Sequence, residues 1–381
     1  MSEVVGSANV VTGSNFRAPN SQQTARPVIA KFRACHHFCQ APDFRHRLLI
    51  QYELLPELRI CVCLCLIYSA QAEEPGYKYF ALGNPSGAIS KTRPGYALMG
   101  GGTDQDAAFQ WMCDRAGAGD FVVLRASGTD AYNPYIKNLC PALSSVETLI
   151  VTSRGGASAP FVVEKVRTAS AVFIAGGSQD NYINFWQGTP LDDALNSAIQ
   201  KGVPVGGTSA GLAVLGEYSF AALKDTVQSG QALANPFHEK VTITRDFLRV
   251  PHLEGKITDS HFAARDRMGR LVAFLARISS DGWTRAPFGI GIDEKTAVLM
   301  DADGSASVTG AGAAYFLRSP GPPENCSRNQ PLTYRNISVF RLTAGAGRFN
   351  VASWTGSGGL EYKLSAENGV LKSSLAGNRV Y

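Results

Sequence analysis

Strand-like and helix-like segments alternate along the chain from Tyr77 to about Asp301. The strand-like segments are short and apolar, and they occur at residues 95–99, 121–125, 148–152 and 171–175. Amphipathic segments of helical length occur at residues 105–115, 160–168 and 191–200. This alternation predicts βαβ units, which build a mainly parallel sheet with helices on both faces. We therefore expect an α/β fold of the αβα sandwich type, with a functional site beyond the carboxyl ends of the strands.

The sharpest turn in this pattern carries a serine. Residues 203–216 read VPVGGTSAGLAVLG, and the pattern G-x-S-x-G lies here between a short strand predicted at residues 201–205 and an apolar helix predicted from Leu212 onward. The flanking glycines permit a tight turn and leave space around Ser209, so its hydroxyl is presented at the carboxyl end of the strand. The amide of Ala210 can then face a developing oxyanion. The pattern indicates a nucleophile, and the alternative is a serine that only caps the helix.

A serine nucleophile needs a base to accept its proton. Three histidines follow residue 72, namely His238, His252 and His261. The first two stand close to prolines in loop-like sequence, which favours a solvated or capping role. His261 stands at the start of a predicted helix, after Thr258-Asp259-Ser260. We therefore predict that His261 is the base.

Two adjacent acids follow the apolar, strand-like segment 289–292. They are Asp293 and Glu294. Successive residues of a strand point to opposite sides, so only one of the two carboxylates can orient His261. The alternative is an ordinary turn at the end of a strand.

Four separated motifs together resemble the cyanophycinase family of serine peptidases, which is related to dipeptidase E within peptidase family S51. They surround Ser209, His261 and Glu294, and the fourth is Ala175-Gly176-Gly177-Ser178-Gln179. The resemblance spans about residues 97–318 and implies a flavodoxin-like sandwich, similar to class I glutamine amidotransferases. It implies a triad of Ser209, His261 and Glu294, with Glu294 preferred to Asp293. It also implies an oxyanion hole formed by the amides of Gly177 and Ala210.

The same resemblance implies a substrate pocket. The residues that it assigns to this pocket are Gln179, Asp259, Ser260, Arg265, Arg267 and Arg270. Arg265 and Arg270 suit carboxylates, and Asp266, which stands where the family has a glycine, suits a guanidinium. Ser178 and Ser260 also depart from the family pattern, in which an acid and a glutamine occupy these positions. The alternative for the three arginines is a solvated helix face.

The activity that the resemblance implies is the release of β-aspartyl-arginine dipeptides from cyanophycin. This polymer is a poly-aspartate chain that carries an arginine on each β-carboxyl. One alternative is the hydrolysis of short aspartyl or isoaspartyl dipeptides, and another is a secreted binding protein that keeps the fold without catalysis. No metal or cofactor is implied. The glycine run 100–102 lacks both G-K-[ST] and G-x-G-x-x-G, so we do not predict a nucleotide there.

The first 72 residues differ from the rest of the chain. Residues 1–40 are polar and aperiodic, which predicts disorder. Residues 59–73 combine an arginine, a short apolar run and Ala70-Gln71-Ala72, the outline of a secretory signal peptide. We therefore predict a secreted or periplasmic protein without a stable membrane span, whose mature chain begins near Glu73. Such a peptide normally stands at the start of a chain, so we expect an initiation codon downstream of Met1. The alternative is a disordered leader joined to a buried apolar segment.

The distribution of charge limits the classes of partner that the protein can bind, and the distribution of cysteines limits its disulfides. Residues 1–72 hold seven of the 36 Lys and Arg but only four of the 31 Asp and Glu, so the remainder is close to neutral. We therefore expect no nucleic acid as a partner. The family resemblance implies a peptide or polymer partner, and the sequence leaves a homodimer open. Five of the eight cysteines precede residue 72. Cys113 and Cys140 can pair in an oxidising compartment, but the sequence does not establish the bond, and Cys326 is left over.

The domain organisation follows from these shifts in character. We predict a leader over residues 1–72 and a catalytic domain over residues 73–318. Residues 319–381 begin with the loop SPGPPENC and are rich in Gly, Ser, Thr and Val, so we predict a small β-rich extension there.

Overall fold

The computed structural model describes residues 76–87 and 90–381. The predicted leader, the signal-peptide-like segment and the new amino terminus near Glu73 lie outside the described residues. In the part of the chain that is described, no helix is both long and apolar enough to cross a membrane.

Five parallel strands form the centre of a ten-stranded sheet. In spatial order they are β4 (Ser145–Val151), β3 (Asp120–Arg125), β5 (Ala171–Ile174), β6 (Val205–Thr208) and β2 (Gly95–Met99). Nearly every residue of these strands is buried, as expected for parallel strands that are covered on both faces. The carboxyl ends of β5, β6 and β2 lead directly into three glycine-containing segments, at residues 175–179, 209–211 and 100–102.

The flanks of this sheet are antiparallel. Strand β1 (Tyr77–Gly83) pairs with β4 at one edge. The other flank is formed by β11 (Thr296–Asp301), β12 (Ser305–Gly310), β15 (Arg348–Asn350) and β16 (Thr355–Ser357). The prediction of a mainly parallel sheet is therefore right for the centre and wrong for the flanks. For the pairs β11 with β12 and β15 with β16 the physical reason is that a short connection can join only antiparallel neighbours.

Helices contribute to the apolar cores on both faces of the central strands. Tyr96 and Leu98 of β2 enter one core, and Ala97 and Met99 enter another, because successive side chains of a strand point to opposite faces. The first core includes side chains of α3 (Arg154–Ala157), α4 (Pro160–Arg167), α5 (Gln179–Trp186) and α6 (Pro190–Gln200). The second includes side chains of α1 (Asp106–Ala116) and α2 (Tyr132–Leu139). The fold of the described residues is therefore mixed α/β.

A second sheet of eight strands carries the later part of the chain. Its strands, in spatial order, are β18 (Val370–Ser373), β17 (Leu360–Glu367), β14 (Tyr334–Thr343), β13 (Ala313–Arg318), β10 (Phe288–Ile292), β9 (Lys256–Asp259), β7 (Tyr218–Phe220) and β8 (Ile243–Arg245). Its core includes side chains of α8 (Ser229–Ala234) and α9 (Met268–Ser280). The strands after Ser319 are hydrogen-bonded to strands that precede it, through the pairing of β14 with β13. A 3₁₀ turn, Ala376–Asn378, follows β18.

A disulfide joins α1 to the end of α2. It links Cys113 to Cys140, which are 27 residues apart in sequence, whereas Cys326 is free and half-buried. The bond closes a loop that includes β3, the second of the five central strands. It therefore restricts the unfolded chain around the core of the large sheet.

Removing this bond is expected to destabilise the protein. For a loop of this length, replacing Cys113 and Cys140 by alanine should lower the free energy of unfolding by about 2–4 kcal/mol, because the unfolded chain regains conformational entropy. Urea unfolding of the double variant and the wild type, both without reductant, measures the difference. Cys326→Ala is the matched control and should change stability by less. Equal stability of the double variant and the wild type would contradict the expectation.

Candidate active site

The turn after β6 presents Ser209 in the conformation that its sequence predicts. Ser209 has φ 53° and ψ −112°, and a short helix, α7 (Ala210–Ala213), follows at once. A Cβ atom on Gly207 would stand 2.6 Å from the carbonyl carbon of Gly211, and one on Gly211 would overlap the carbonyl oxygen of Ile174. Both glycines of the G-x-S-x-G pattern are therefore required by close backbone approach. The strained backbone at Ser209 is typical of a serine held at a functional turn.

Ser209, His261 and Glu294 form a hydrogen-bonded row. The Ser209 hydroxyl lies 2.7 Å from Nε2 of His261, and Nδ1 of His261 lies 2.6 Å from a carboxylate oxygen of Glu294. The three residues follow the carboxyl ends of β6, β9 and β10, so the row lies where the two sheets meet. A proton on Nδ1 that is donated to Glu294 leaves Nε2 free to accept the proton of Ser209.

Asp293 has a different position from its neighbour. Its carboxylate accepts the backbone N–H groups of Ala263 at 2.9 Å and Ala313 at 3.0 Å. Asp293 therefore holds the segment after His261 against the start of β13. Of the two adjacent acids, Glu294 is the one that contacts the histidine.

The glycine run 100–102 packs against this row. Gly101 has φ +90°, and a Cβ atom there would stand 2.6 Å from the His261 ring and 3.1 Å from the Ser209 Cβ. The carbonyl of Gly100 accepts the His261 backbone N–H at 2.7 Å, and that of Gly101 accepts the Lys295 N–H at 2.9 Å. The run thus fixes the backbone at His261 and the backbone next to Glu294, and Gly101 leaves room for the imidazole. Nothing in the sequence alone indicated this contact.

Of the two amides predicted to bind an oxyanion, that of Ala210 follows Ser209 in sequence, and that of Gly177 belongs to a loop that lies beside the serine. Ala210 is the first residue of α7, where a backbone N–H has no acceptor inside the helix. The loop that carries Gly177 lies beside the serine, since a Cβ atom on Gly176 would be 3.5 Å from the Ser209 Cβ. Gly177 is exposed.

Comparison with known proteins places this chain in a family. The sequence profile of peptidase family S51 matches residues 98–307, which is more than half of the chain. The chain belongs to peptidase family S51. A cyanophycinase from a Nostoc species is 29% identical over 206 residues, which cover 52% of this chain and 63% of that protein. A cyanophycinase from Synechococcus elongatus is 27% identical over 267 residues, which cover 65% of this chain and 76% of that protein.

The chain thus spans less than two thirds of the length of the Nostoc relative. A solved structure, described as that of a peptidase from an acI-B1 Actinobacterium, is 18% identical with a TM-score of 0.46. The alignment covers 67% of this chain and 96% of the chain in that structure.

The charges around the row favour a neutral histidine beside an ionised glutamate. Burial lowers the pKa of His261 below its ordinary value of 6.5, and the charges of Arg265 and Arg267 lower it further, although the hydrogen bond to Glu294 opposes them. The hydrogen bond from His261 lowers the pKa of Glu294 below its ordinary value of 4.5. At neutral pH the imidazole can therefore accept a proton from Ser209.

The pH dependence of the activity should follow from this lowered pKa. Because only neutral His261 can accept the serine proton, the midpoint of the acidic decline in kcat/KM should lie below pH 6.5, the ordinary pKa of an imidazole. A pH profile of kcat/KM on a neutral ester measures the midpoint. Arg265→Met should move the midpoint upward, because it removes a cation that disfavours the imidazolium. A midpoint above pH 6.5 in the wild type would contradict this assignment.

Among the residues of the predicted S51 pocket, Arg270 is not available to a ligand. It is only 2% exposed, and its guanidinium makes two bonds to Asp259, from Nε at 2.7 Å and from one terminal nitrogen at 2.5 Å. The other terminal nitrogen donates to Thr226 at 3.0 Å. The prediction that Arg270 binds a substrate carboxylate is therefore corrected: its charge is already used by a buried acid. Asp259 is likewise enclosed by this ion pair.

Three further pocket residues make hydrogen bonds to other parts of the protein. Arg267 is mostly buried and donates to the carbonyl of Ser260 at 2.8 Å and to its hydroxyl at 3.3 Å. Ser260 is itself buried. Gln179 is half-buried, and its amide group donates to the carbonyl of Phe220 at 3.1 Å. Through these contacts Arg267 holds Ser260, the residue that precedes His261.

Arg265 differs from the other two arginines. It is exposed, and no hydrogen bond or ion pair joins its guanidinium to another described residue. Its backbone N–H donates to the carbonyl of His261 at 3.0 Å, and its charge lowers the pKa of both His261 and Glu294. Arg265 is therefore the cation of the predicted set that remains open to a ligand.

Asp104 is a residue of this region that sequence reasoning missed. It accepts hydrogen bonds from the hydroxyls of Thr208 and Tyr132, both at 2.6 Å. Burial raises its pKa, and the bonds from the two hydroxyls oppose that shift. It thereby holds Thr208, the residue that precedes Ser209. A single acid after a glycine run carries no sequence signal for such a role.

Proposed function

We propose that this S51 protein is a serine exopeptidase whose catalytic groups are Ser209, His261 and Glu294. The observation that carries the proposal is the unbroken row from the Ser209 hydroxyl through both ring nitrogens of His261 to the Glu294 carboxylate. We further propose that the five central strands, with the helices on their two faces, form a flavodoxin-like αβα sandwich.

The proposed reaction proceeds through an acyl-enzyme. His261 Nε2 accepts the proton of Ser209 as the serine oxygen attacks the carbonyl carbon of the scissile bond. The amides of Gly177 and Ala210 stabilise the negative charge that develops on the carbonyl oxygen. His261 then gives its proton to the leaving amine, and the C–N bond breaks. Water attacks the ester with His261 again as base, which releases the acid product and restores Ser209.

For the substrate we propose cyanophycin or related β-aspartyl peptides. The relatives from Nostoc and Synechococcus elongatus are cyanophycinases, which supports this class. In the structure, Arg265 supplies an unpaired cation beside the row, and a β-aspartyl substrate offers carboxylates to it. The site of attack is the backbone carbonyl after a β-linked aspartate. Hydrolysis of short aspartyl or isoaspartyl dipeptides is the second candidate.

We also propose that the protein is secreted or periplasmic. The bond between Cys113 and Cys140 supports an oxidising compartment, in which disulfides persist. The signal-peptide-like segment that ends near Ala72 supports export. Amino-terminal sequencing of protein exported by its native host tests both points, and a mature chain that retains residues 1–60 would remove the proposal.

The assay that tests the function uses two kinds of substrate. Purified protein is incubated with insoluble cyanophycin and, separately, with a panel of aspartyl and isoaspartyl dipeptides, and products are identified by mass spectrometry. Release of β-aspartyl-arginine from the polymer is expected. Hydrolysis of dipeptides alone selects the second candidate. Failure of both, together with failure of a serine-directed reagent to label Ser209, would show a non-catalytic protein.

Arg265→Met is expected to weaken turnover of charged substrates selectively. Loss of a charge-assisted hydrogen bond should lower kcat/KM on β-aspartyl-arginine substrates by about 10- to 150-fold, the equivalent of about 1.5–3 kcal/mol. A neutral ester, which needs only the catalytic row, should lose far less at a pH where His261 is neutral. Kinetics on the two substrates give the contrast. Arg335→Met, which removes an exposed arginine of β14, is the matched control.

Arg270→Met should behave differently from Arg265→Met. It leaves the buried carboxylate of Asp259 without its main partner, which should lower the free energy of unfolding by about 3–5 kcal/mol. Thermal unfolding distinguishes this loss of stability from a loss of substrate binding.

Equal rate losses on ester and peptide for Arg265→Met would mean that this side chain does not contact the substrate.

A further inference from the structure

The turn that carries Arg265 is short and closely tied to His261. The carbonyl of His261 accepts the N–H of Arg265 at 3.0 Å, and the carbonyl of Phe262 accepts the N–H of Arg267 at 2.9 Å. We call residues 263–267 the arginine turn. Asp293 holds its first residue through the Ala263 N–H. The position of the exposed guanidinium therefore depends on what fixes the other end of the turn.

That other end contains a residue in a strained conformation. Asp266 has φ 46°, in the left-handed region that favours glycine, and the family resemblance places a glycine at this position. Its carbonyl accepts a hydrogen bond from the hydroxyl of Ser229. Its carboxylate accepts one from the hydroxyl of Tyr381, at 3.0 Å. Asp266 thus has a strained backbone, and its side chain makes a specific contact with Tyr381 that a glycine could not make.

Tyr381 contacts both ends of the arginine turn. Its hydroxyl donates to Asp266 and accepts the backbone N–H of Met268, the first residue of α9, at 2.9 Å. Burial raises the pKa of this hydroxyl, so it stays protonated and can donate at neutral pH. Its ring meets the edge of the Phe262 ring, with centroids 6.0 Å apart. Phe262 follows His261 directly, so one side chain touches the residue before the turn and the residues that end it.

The neighbours of Phe262 make this contact rigid. A Cβ atom on Gly291 would stand 2.5 Å from the Phe262 ring, so the ring is pressed against β10. Tyr315 of β13 packs against both Phe262 and Tyr381, with ring centroids 5.3 Å and 5.8 Å away. The ring of Tyr381 is thus held by packing, and its hydroxyl is the part that reaches the turn. A change that removes only the hydroxyl separates these two contributions.

We propose that Tyr381 is a positioning residue for substrate recognition, which holds Arg265 beside the Ser209–His261 pair by bonding Asp266 and the Met268 N–H. This inference rests on the proposed function, because Arg265 is there the residue that binds a substrate carboxylate. Tyr381 itself does not contact the reacting atoms. Its substitution should therefore change recognition of charged substrates more than it changes the chemical step.

The test is a double-mutant cycle in the full chain with Tyr381→Phe and Arg265→Met. Tyr381→Phe should raise KM for a β-aspartyl-arginine substrate about 5- to 10-fold, with kcat within twofold and hydrolysis of a neutral ester unchanged. In the Arg265→Met background the same change should have no further effect on KM, because the residue being positioned is gone. Tyr334→Phe is the matched control, since Tyr334 lies in β14 and its hydroxyl donates to the carbonyl of Gly321, which is not part of the arginine turn.

Three results would overturn the proposal: an unchanged KM, equal losses on ester and peptide, or the same KM effect with and without Arg265. A second readout does not depend on turnover. The pKa of His261, followed by NMR and assigned with a His261 variant, should rise in Arg265→Met and rise by a smaller amount in Tyr381→Phe. Glu294, Arg267 and Asp104, whose charges also act on this ring, are unchanged in both variants. If the wild type hydrolyses nothing, the proposed function fails, and a His261 pKa that is unmoved in Tyr381→Phe then rejects the positioning role separately.

Discussion

Ser209→Ala is expected to lower kcat by about 10⁴- to 10⁶-fold while the protein stays folded and still binds its substrate. The hydroxyl at position 209 is the group that contacts Nε2 of His261, and its loss leaves only the catalysis supplied by the oxyanion amides and by binding. Alanine at φ 53° pays about the same backbone cost as serine, so stability should change little. Kinetics on peptide and ester, with thermal unfolding of both proteins, measure the two effects.

Ser178→Ala is the matched control for this experiment. Ser178 is an exposed serine in the loop after Gly177, and its hydroxyl donates to Asp180 rather than to the histidine. Its replacement should leave kcat within a few-fold of the wild type. Activity of Ser209→Ala within tenfold of the wild type would remove Ser209 as the nucleophile.

Glu294→Gln is expected to lower kcat by about 10⁴-fold with little change in substrate affinity. The amide keeps the size of the side chain but loses the charge that stabilises the imidazolium, and it can hold the ring in the wrong tautomer. The side chain is about one-third exposed, so the substitution should cost little stability. Steady-state kinetics of the variant, at a pH where His261 is neutral, give the loss.

Asp293→Asn is the comparison that decides between the two adjacent acids. Its carboxylate accepts the N–H groups of Ala263 and Ala313, so the substitution should lower the free energy of unfolding by about 1–3 kcal/mol and affect kcat much less than Glu294→Gln does. If the Asn variant loses its activity and the Gln variant keeps it, the two roles must be exchanged.

Local patterns in the sequence were sufficient for the elements around the site. The alternation of apolar and amphipathic segments predicted the five central parallel strands, because the period of the side-chain pattern reflects the local backbone. The glycines beside Ser209 predicted a tight turn, since no other residue tolerates such close backbone approach. The same reasoning placed one of two acids toward His261 but did not say which. The preference for Glu294 came from resemblance to a family, and the contact itself is a property of the folded chain.

What only the tertiary structure decided are the pairings between distant parts of the chain. The eight-stranded sheet joins β14, β17 and β18 to strands that precede Ser319, and no local pattern specifies such partners. Arg265 and Arg270 look alike in sequence, yet Asp259 takes the charge of Arg270 and leaves that of Arg265 open. The contact of Tyr381 with Asp266 spans 115 residues. The local sequence around a residue largely determines its backbone conformation. Which partner its charge or hydroxyl finds depends on the groups that folding brings beside it.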